Sequence, residues 1–332
     1  MGQAFGAVAT VVVALAIFVA GLLAIYAVTN AVPRRFRERS QIAVFLGPAL
    51  VLIVIGLLVP ALRTVWFSLL SDRQGTPFGG LTNYKFLATD HNERIAILNS
   101  VLWVLFGGTL STAFGLTIAR YADKARGEAV AKSLIFIPAA LSLAGAGIIW
   151  KFVYDGPPFN QGLLNAVTKV LPGWPNGFGG DGQRLWLVEH PVQMNTFLLI
   201  VILIWVQTGF ATVVLSAAIK GVPETLEEAA IVDGATNRQV FYRITLPYIR
   251  PAILTVMTTG TIASLKAFDI VQATTGGNFN TSTIANELYR KFFLEERDGL
   301  ASALAVLLFI IVIPVVVLNQ RGQKRAQEMV GA

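Results

Sequence analysis

The chain has 332 residues, 55% of them hydrophobic and 14% charged, with no cysteine, two histidines and a formal net charge of +7. Soluble domains carry roughly 45–50% apolar and about 25% charged residues, so this composition excludes an ordinary soluble fold and intrinsic disorder. Without cysteine there are no disulfides, no thiol catalysis and no thiolate metal sites.

A bilayer is crossed by about 20 apolar residues as a helix. Seven runs meet that length: Ala7–Val28, Ile42–Leu62, Ile95–Ala119, Ser133–Val153, Thr196–Ile219, Ile249–Phe268 and Leu300–Leu318. Hydrocarbon leaves helices as the form for such runs, so the predicted fold class is an all-α integral membrane protein of about seven transmembrane helices. Pro48, Pro60, Pro138 and Pro314 sit in or beside these runs, where neighbouring helices can re-satisfy the backbone.

Arg34, Arg35, Arg37 and Arg39 follow the first run directly, and no basic residue precedes it. A signal peptide carries its charge in the opposite order, so the first run reads as a helix with its N-terminus outside. By alternation, the loop 120–132, the segment 220–248 and the tail 321–332 are cytoplasmic. With Arg250 and Lys151, at the ends of their runs, counted with the adjoining segments, the cytoplasmic side holds 15 Lys and Arg against 8 Asp and Glu, and the outer side holds 10 against 10. The positive charge therefore encodes orientation and not nucleic-acid binding.

The segment 220–248 predicts two short helices. Pro223 suits a first helical position, and Glu224, Glu227 and Glu228 complement the positive end of the helix dipole. Asp233 and Gly234 supply the stop, since glycine takes left-handed backbone without steric cost. Thr236 with Gln239 three residues on is a capping box, and Val240, Phe241 and Ile244 form an apolar stripe that ends before Leu246-Pro247. Ala229 and Ala230 keep one side of the first helix thin enough for another surface to approach. An acidic first helix argues against phosphate contact.

Glu228, Ala229, Ala230, Gly234, Ile244, Leu246 and Pro247 resemble, position for position, the EAA motif of permease subunits of ABC-type importers. The resemblance implies a six-helix permease core, preceded here by an extra helix within residues 1–40. Residues 41–320 would form the transmembrane domain with its coupling loop at 220–248, and 321–332 a cytoplasmic tail. It also implies that the loop docks on a cytoplasmic ATPase, with Asp233 beside the motif glycine in the coupling set. The implied partners are a second permease subunit, two ATPase subunits and an extracytoplasmic sugar-binding protein in a bacterial inner membrane. ATP and magnesium would sit on the ATPases, with no cofactor on this chain. No GxxxxGK[ST] run is present. The run Gly177–Gly182 fits G-x-G-x-x-G, but no strand precedes it, and His91 and His190 have no ligand cluster beside them.

Further stretches resemble the carbohydrate branch, α-glucoside permeases included: Gly80–Leu87 ahead of Asn99-Ser100, Ile137-Pro138 leading to Trp150 and Gly162–Asn165, Phe268-Asp269 followed by Thr275-Gly276-Gly277, and Gly299–Ala303. The family often has proline after the paired glycines, where this chain has Asn278. A neutral sugar needs hydroxyl partners and a flat face to stack on. That points to Gln207, Thr208 and Phe210 on the fifth run and Gln272 beyond the sixth. Lys266 and Asp269, three apart, are expected to pair on one helix face as a gate or packing feature. A stand-alone secondary transporter or channel would need inverted repeats and midplane charges, and a membrane enzyme would need clustered acid-base residues. Neither pattern is clear in this chain.

Overall fold

The computed structural model describes residues 37–71, 78–123, 127–156, 162–170, 185–188 and 194–330, with isolated positions before residue 27. The first expected span, Ala7–Val28, and His190 lie outside the described residues apart from those isolated positions. The chain divides into two compact units, Met1–Trp66 and Phe67–Ala332.

In the first unit, helix α1 (Arg37–Ile53) passes through a wide π-helical turn at Val54–Leu58 into α2 (Val59–Ser68), whose last residues open the second unit. The turn has a cause in the sequence. Pro60 has no N–H, and its ring would strike the carbonyl four residues earlier; the Val59 amide bonds instead to the Val54 carbonyl, five residues back, directly ahead of that proline.

The second unit is a helical bundle. A short helix α3 (Thr82–Thr89) leads to the long α4 (His91–Ala122), which Asp90 caps through the amides of Asn92 and Glu93. Next come α5 (Glu128–Phe136), a 3₁₀ turn (Ile137–Ala140), α6 (Leu143–Val153), α7 (Leu163–Val170) and the long α8 (Met194–Lys220). The loop helices are α9 (Glu224–Val232), α10 (Asn237–Val240) and, after a π turn, α11 (Leu246–Tyr248). The bundle closes with α12 (Arg250–Leu265), α13 (Phe268–Thr274), α14 (Ile284–Tyr289) and α15 (Asp298–Val330). Among the described residues there is no strand beyond one isolated bridge, Leu70 to Phe78.

Small residues let α4 lie close to α8 and α12, the usual device where lipid supplies no hydrophobic drive between helices. A Cβ on Gly115 would sit 2.4 Å from the Ala211 Cβ, and one on Gly108 would sit 2.7 Å from the Thr261 amide nitrogen. Trp103, Leu199, Leu203, Ile270 and Val271 form the buried centre. Leu98, Leu105, Phe114, Val213, Phe309 and Ile313 point outward and exposed, as lipid-facing positions do.

Among the described residues three helices can cross a membrane (Phe45–Ser68, His91–Ala122 and Met194–Lys220), or five if two bent pairs each count as one span; Asp298–Pro314 is a shorter apolar helix. Two of the expected spans are bent. The fourth run turns by 103° between Glu128–Ala140 and Leu143–Val153. Pro138 opens the 3₁₀ turn, Leu141 is extended, and Ser142 recaps by accepting from the Gly145 amide. The sixth run bends by 45° and continues beyond Phe268 to Thr274. The last helix continues past Leu318 to Val330.

Two ends of the bundle can be told apart. Arg120 of α4 touches Phe241 of the 220–248 loop, whereas Asn99, near the other end of α4, bonds the carbonyls of Asn280 and Ser282. The α8 helix runs antiparallel, with Thr196 bonded to Asn99 and Lys220 entering the loop.

Candidate functional site

The 220–248 loop forms as its residues dictate. Pro223 stands at the cap just before α9 and not in its first turn, and Glu224 and Glu227 open the helix. The turn closes with the Gly234 amide on the Ile231 carbonyl and the Ala235 amide on the Ala230 carbonyl. Gly234 itself is left-handed at φ +87. Both halves of the capping box are made: the Gln239 amide donates to the Thr236 hydroxyl at 3.3 Å, and the Thr236 amide donates to Gln239 Oε1 at 2.7 Å. Past the apolar stripe of Val240, Phe241 and Ile244, the chain stays helical through Leu246-Pro247 to Tyr248. The Leu246 amide bonds five residues back to the Phe241 carbonyl, widening the turn ahead of Pro247 as at Pro60.

Glu228, Ala229, Asp233, Gly234 and Pro247 are exposed, and Ala230, Ile244 and Leu246 are half-buried. Beside them Leu226, Ile231, Tyr242 and above all Val232, 86% exposed, present apolar surface at one end of the bundle. Exposed apolar surface set among charges is what a protein partner covers.

Two contacts fasten this loop to the rest of the bundle, Arg120 to Phe241 and Lys220 to Glu128, and a third joins the loop's own halves. Thr245 donates to Glu227 Oε1 at 3.0 Å, joining the loop's two halves. The Arg120 guanidinium lies 3.8 Å from the centre of the Phe241 ring, a cation–π contact between α4 and the loop. Lys132 on α5 reaches Asp123 and Glu128, each at 2.5 Å, and also Ser216 on α8. Lys220 joins Glu128 at 2.5 Å. Arg120, Asp123, Glu227, Phe241 and Thr245 line a cavity of about 130 Å³ between the loop and the helix ends.

The six substrate candidates fall into two groups. Gln207 and Phe210, three apart on α8, are half-buried; Thr208 is buried at 8% exposed. Thr112 and Thr212 return their hydroxyls to the carbonyl four residues earlier, whereas among the described residues the Thr208 hydroxyl finds no hydrogen-bond partner. Lys266, Asp269 and Gln272 are exposed along the α12–α13 bend, with Gln272 accepting from Asn286 at 3.1 Å. The expected Lys266–Asp269 pair is not formed among the described ion pairs. The helix breaks at Lys266-Ala267, so the three-residue spacing no longer stacks the two side chains.

Residues 111–327, well over half of the chain, match the family of binding-protein-dependent transport system inner membrane components. The chain belongs to this family. This permease is thus a transport subunit and a multi-pass inner-membrane protein. It is 43% identical over 288 residues to the osmoprotective compounds uptake permease protein GgtC of Synechocystis sp., covering 86% of this chain and 99% of the relative. It is 42% identical over 285 residues to the alpha-glucoside transport system permease protein AglF of Rhizobium meliloti, covering 85% and 82% respectively. A solved bacterial alginate ABC transporter, in complex with alginate pentasaccharide-bound periplasmic protein, contains a chain that superposes on the permease with a TM-score of 0.69. The two share 20% identity, and the match covers 88% of the permease and 96% of that chain, so the fold is common to both.

The opposite end of the permease holds a charge cluster that sequence reading passed over. Glu93 and Glu287 are 0% and 1% exposed, and Lys291 is 5% exposed. Lys291 reaches Glu93 at 3.3 Å and Glu295 at 2.9 Å, and Arg290 reaches Glu287 at 2.6 Å. The cluster ties the first turn of α4 to the segment before α15. These groups are about 200 residues apart, and only their burial singles them out.

Proposed function

We propose that the permease is one of two membrane subunits of an ATP-driven importer that carries a sugar, an oligosaccharide such as an α-glucoside, into the cytoplasm by alternating access. The observation that carries the coupling is the 220–248 loop: an exposed helix with small residues on one side, a left-handed Gly234 and uncovered Val232. Its partners are a second permease subunit and two ATPase subunits that bind ATP and magnesium, with an extracytoplasmic sugar-binding protein delivering the cargo. Glu228, Ala229, Ala230, Asp233, Gly234, Ile244, Leu246 and Pro247 form the coupling surface. Arg120 and Thr245 pass its movement to α4 and to the rest of the loop. Closure of the ATPase pair moves this loop and opens the cavity outward; hydrolysis resets it.

The names of the relatives support a sugar cargo, since AglF is a permease of alpha-glucoside transport and the alginate transporter was captured with a pentasaccharide. In the pathway, the unpartnered Thr208 hydroxyl and the half-buried Gln207 and Phe210 suit an uncharged polyhydroxy cargo. Lys266, Asp269 and Gln272 would line or gate its outer part. The surplus of Lys and Arg on the loop side supports a cytoplasmic C-terminus and an outside N-terminus. The test is ATPase stimulation in the reconstituted complex with the binding protein loaded by one sugar at a time. Stimulation by an α-linked glucose oligosaccharide supports the reading. Uptake driven by an ion gradient without ATPase subunits would favour a secondary transporter instead.

A further inference from the structure

At the end opposite the coupling loop, the backbone holds four left-handed residues within five positions: Gly276 at φ +63, Gly277 at +81, Phe279 at +57 and Asn280 at +61. For glycine this is free, and asparagine tolerates it, but for a bulky aromatic it is an outlier that surrounding structure must enforce. The enforcement comes from two spans. Asn99 of α4, fully buried, donates to the Asn280 carbonyl at 2.7 Å and the Ser282 carbonyl at 2.9 Å. Asn195 of α8 donates to the Phe279 carbonyl at 2.5 Å. Inside the loop, Thr275 and Thr281 share a hydrogen bond at 2.6 Å.

This strain does not serve packing, because the Phe279 side chain is 49% exposed. It borders a cavity of about 330 Å³ whose wall includes Lys151, Tyr154, Asp155, Trp186 and Thr275. That volume lies at the lower end of the range for small-molecule sites. Tyr154 gives its hydroxyl proton to the Leu198 carbonyl and Trp186 its indole N–H to Asn165, so both contribute fixed, largely buried walls. Lys151 and Asp155 supply an ammonium and a carboxylate on the same wall. A flat ring beside hydrogen-bonding groups of both kinds fits a pyranose: its C–H face lies on the aromatic, and its hydroxyls meet the polar side chains.

We propose that this cavity is an outer sugar site in which Phe279 is the stacking platform, taking a single neutral hexose unit of the cargo before it reaches the membrane pathway. The assignment rests on the reading of the permease as a sugar importer. It adds a site separate from Gln207, Thr208 and Phe210. The asparagine clamps couple the site to α4 and α8, the two helices whose other ends meet the coupling loop.

The test uses the complete reconstituted complex and whichever radiolabelled α-linked glucose disaccharide the wild-type complex moves. At saturating loaded binding protein, Phe279→Leu should lower sugar moved per ATP hydrolysed about fivefold, while Phe279→Trp and Phe279→Tyr stay within about twofold of wild type. Asp155→Asn, on the same wall, should lower the ratio as well. If Phe279→Leu keeps the wild-type ratio, the site is overturned. It is also overturned if the loss is matched by weaker binding of the loaded binding protein, since Phe279 would then be a protein-docking contact. A wild-type complex that moves none of these sugars overturns the functional reading together with the site; one that moves sugar beside an unaffected Phe279→Leu overturns the site alone.

Discussion

Replacing Gly234 by valine separates backbone conformation from packing, because a Cβ at this position meets nothing within 4 Å. The whole penalty is then conformational. At φ +87 an L-residue pays about 1–2 kcal/mol for left-handed backbone, and a β-branched side chain falls at the upper end. At a tenfold change per 1.4 kcal/mol, the native turn loses about 5- to 30-fold in population relative to alternatives, without unfolding the bundle. The readouts are copurification of ATPase subunits in mild detergent and sugar moved per ATP in proteoliposomes. The expected order is Gly234, then Gly234→Asn, Gly234→Ala and Gly234→Val, since asparagine tolerates the left-handed region best among the three. Wild-type uptake by Gly234→Val would refute the reasoning. A loss in Gly234→Asn as large as in Gly234→Val would show that the partner rejects any side chain there, whatever its backbone preference.

Arg120→Gln and Phe241→Leu should each raise the ATP spent per sugar. A double-mutant cycle on the uptake ratio should return a coupling of about 0.5–2 kcal/mol, and strict additivity would remove Arg120 from the relay. Gly115→Val places atoms where Ala211 already stands, 2.4 Å from the glycine's virtual Cβ, and should cost about 1–3 kcal/mol, read as a lower melting temperature in detergent; an unchanged value would contradict the close α4–α8 contact. Lys291→Met strands Glu93 in a buried site, while Glu287 keeps Arg290, and should cost about 3–5 kcal/mol, with partial recovery in Lys291→Met/Glu93→Gln. If the double variant is no more stable than the single one, the ion pair is not what Lys291 supplies.

The long apolar helices and the two-helix form of the 220–248 loop were legible because their signals are local. Hydropathy over about 20 residues finds a helix, and the Thr236–Gln239 box and the Gly234 stop need only a few neighbours to operate. Bends were less so. Pro138 marks its break in the sequence, but a run of apolar residues looks the same whether it crosses straight or folds through 103°. Pro60 and Pro247 reach a common solution, a turn widened just before the ring, which no propensity scale encodes. The Lys266–Asp269 expectation failed because it assumed unbroken helix. Arg120 over Phe241, Lys291 beside Glu93 and Asn99 clamping the Asn280 carbonyl join residues roughly 120 to 200 positions apart, and such contacts exist only once the bundle has formed. The Phe279 conformation was hinted at by Gly-Gly-Asn-Phe-Asn, where Asn278 replaces the proline usual in the family. That run suggests a tight turn, but not that an aromatic would occupy its left-handed position.

The chain contains no cysteine, so a single Val232→Cys substitution gives this subunit one thiol at the most exposed apolar position of the 220–248 loop. Cross-linking with a short bifunctional maleimide, in the assembled transporter and with ATP present or absent, addresses the claim that this loop is the joint with the ATPase. Val232→Cys should cross-link to an ATPase subunit, with a yield that changes on ATP binding. Absence of that product in a complex that still imports sugar, while Phe279→Cys at the opposite end does cross-link to the ATPase, would contradict it.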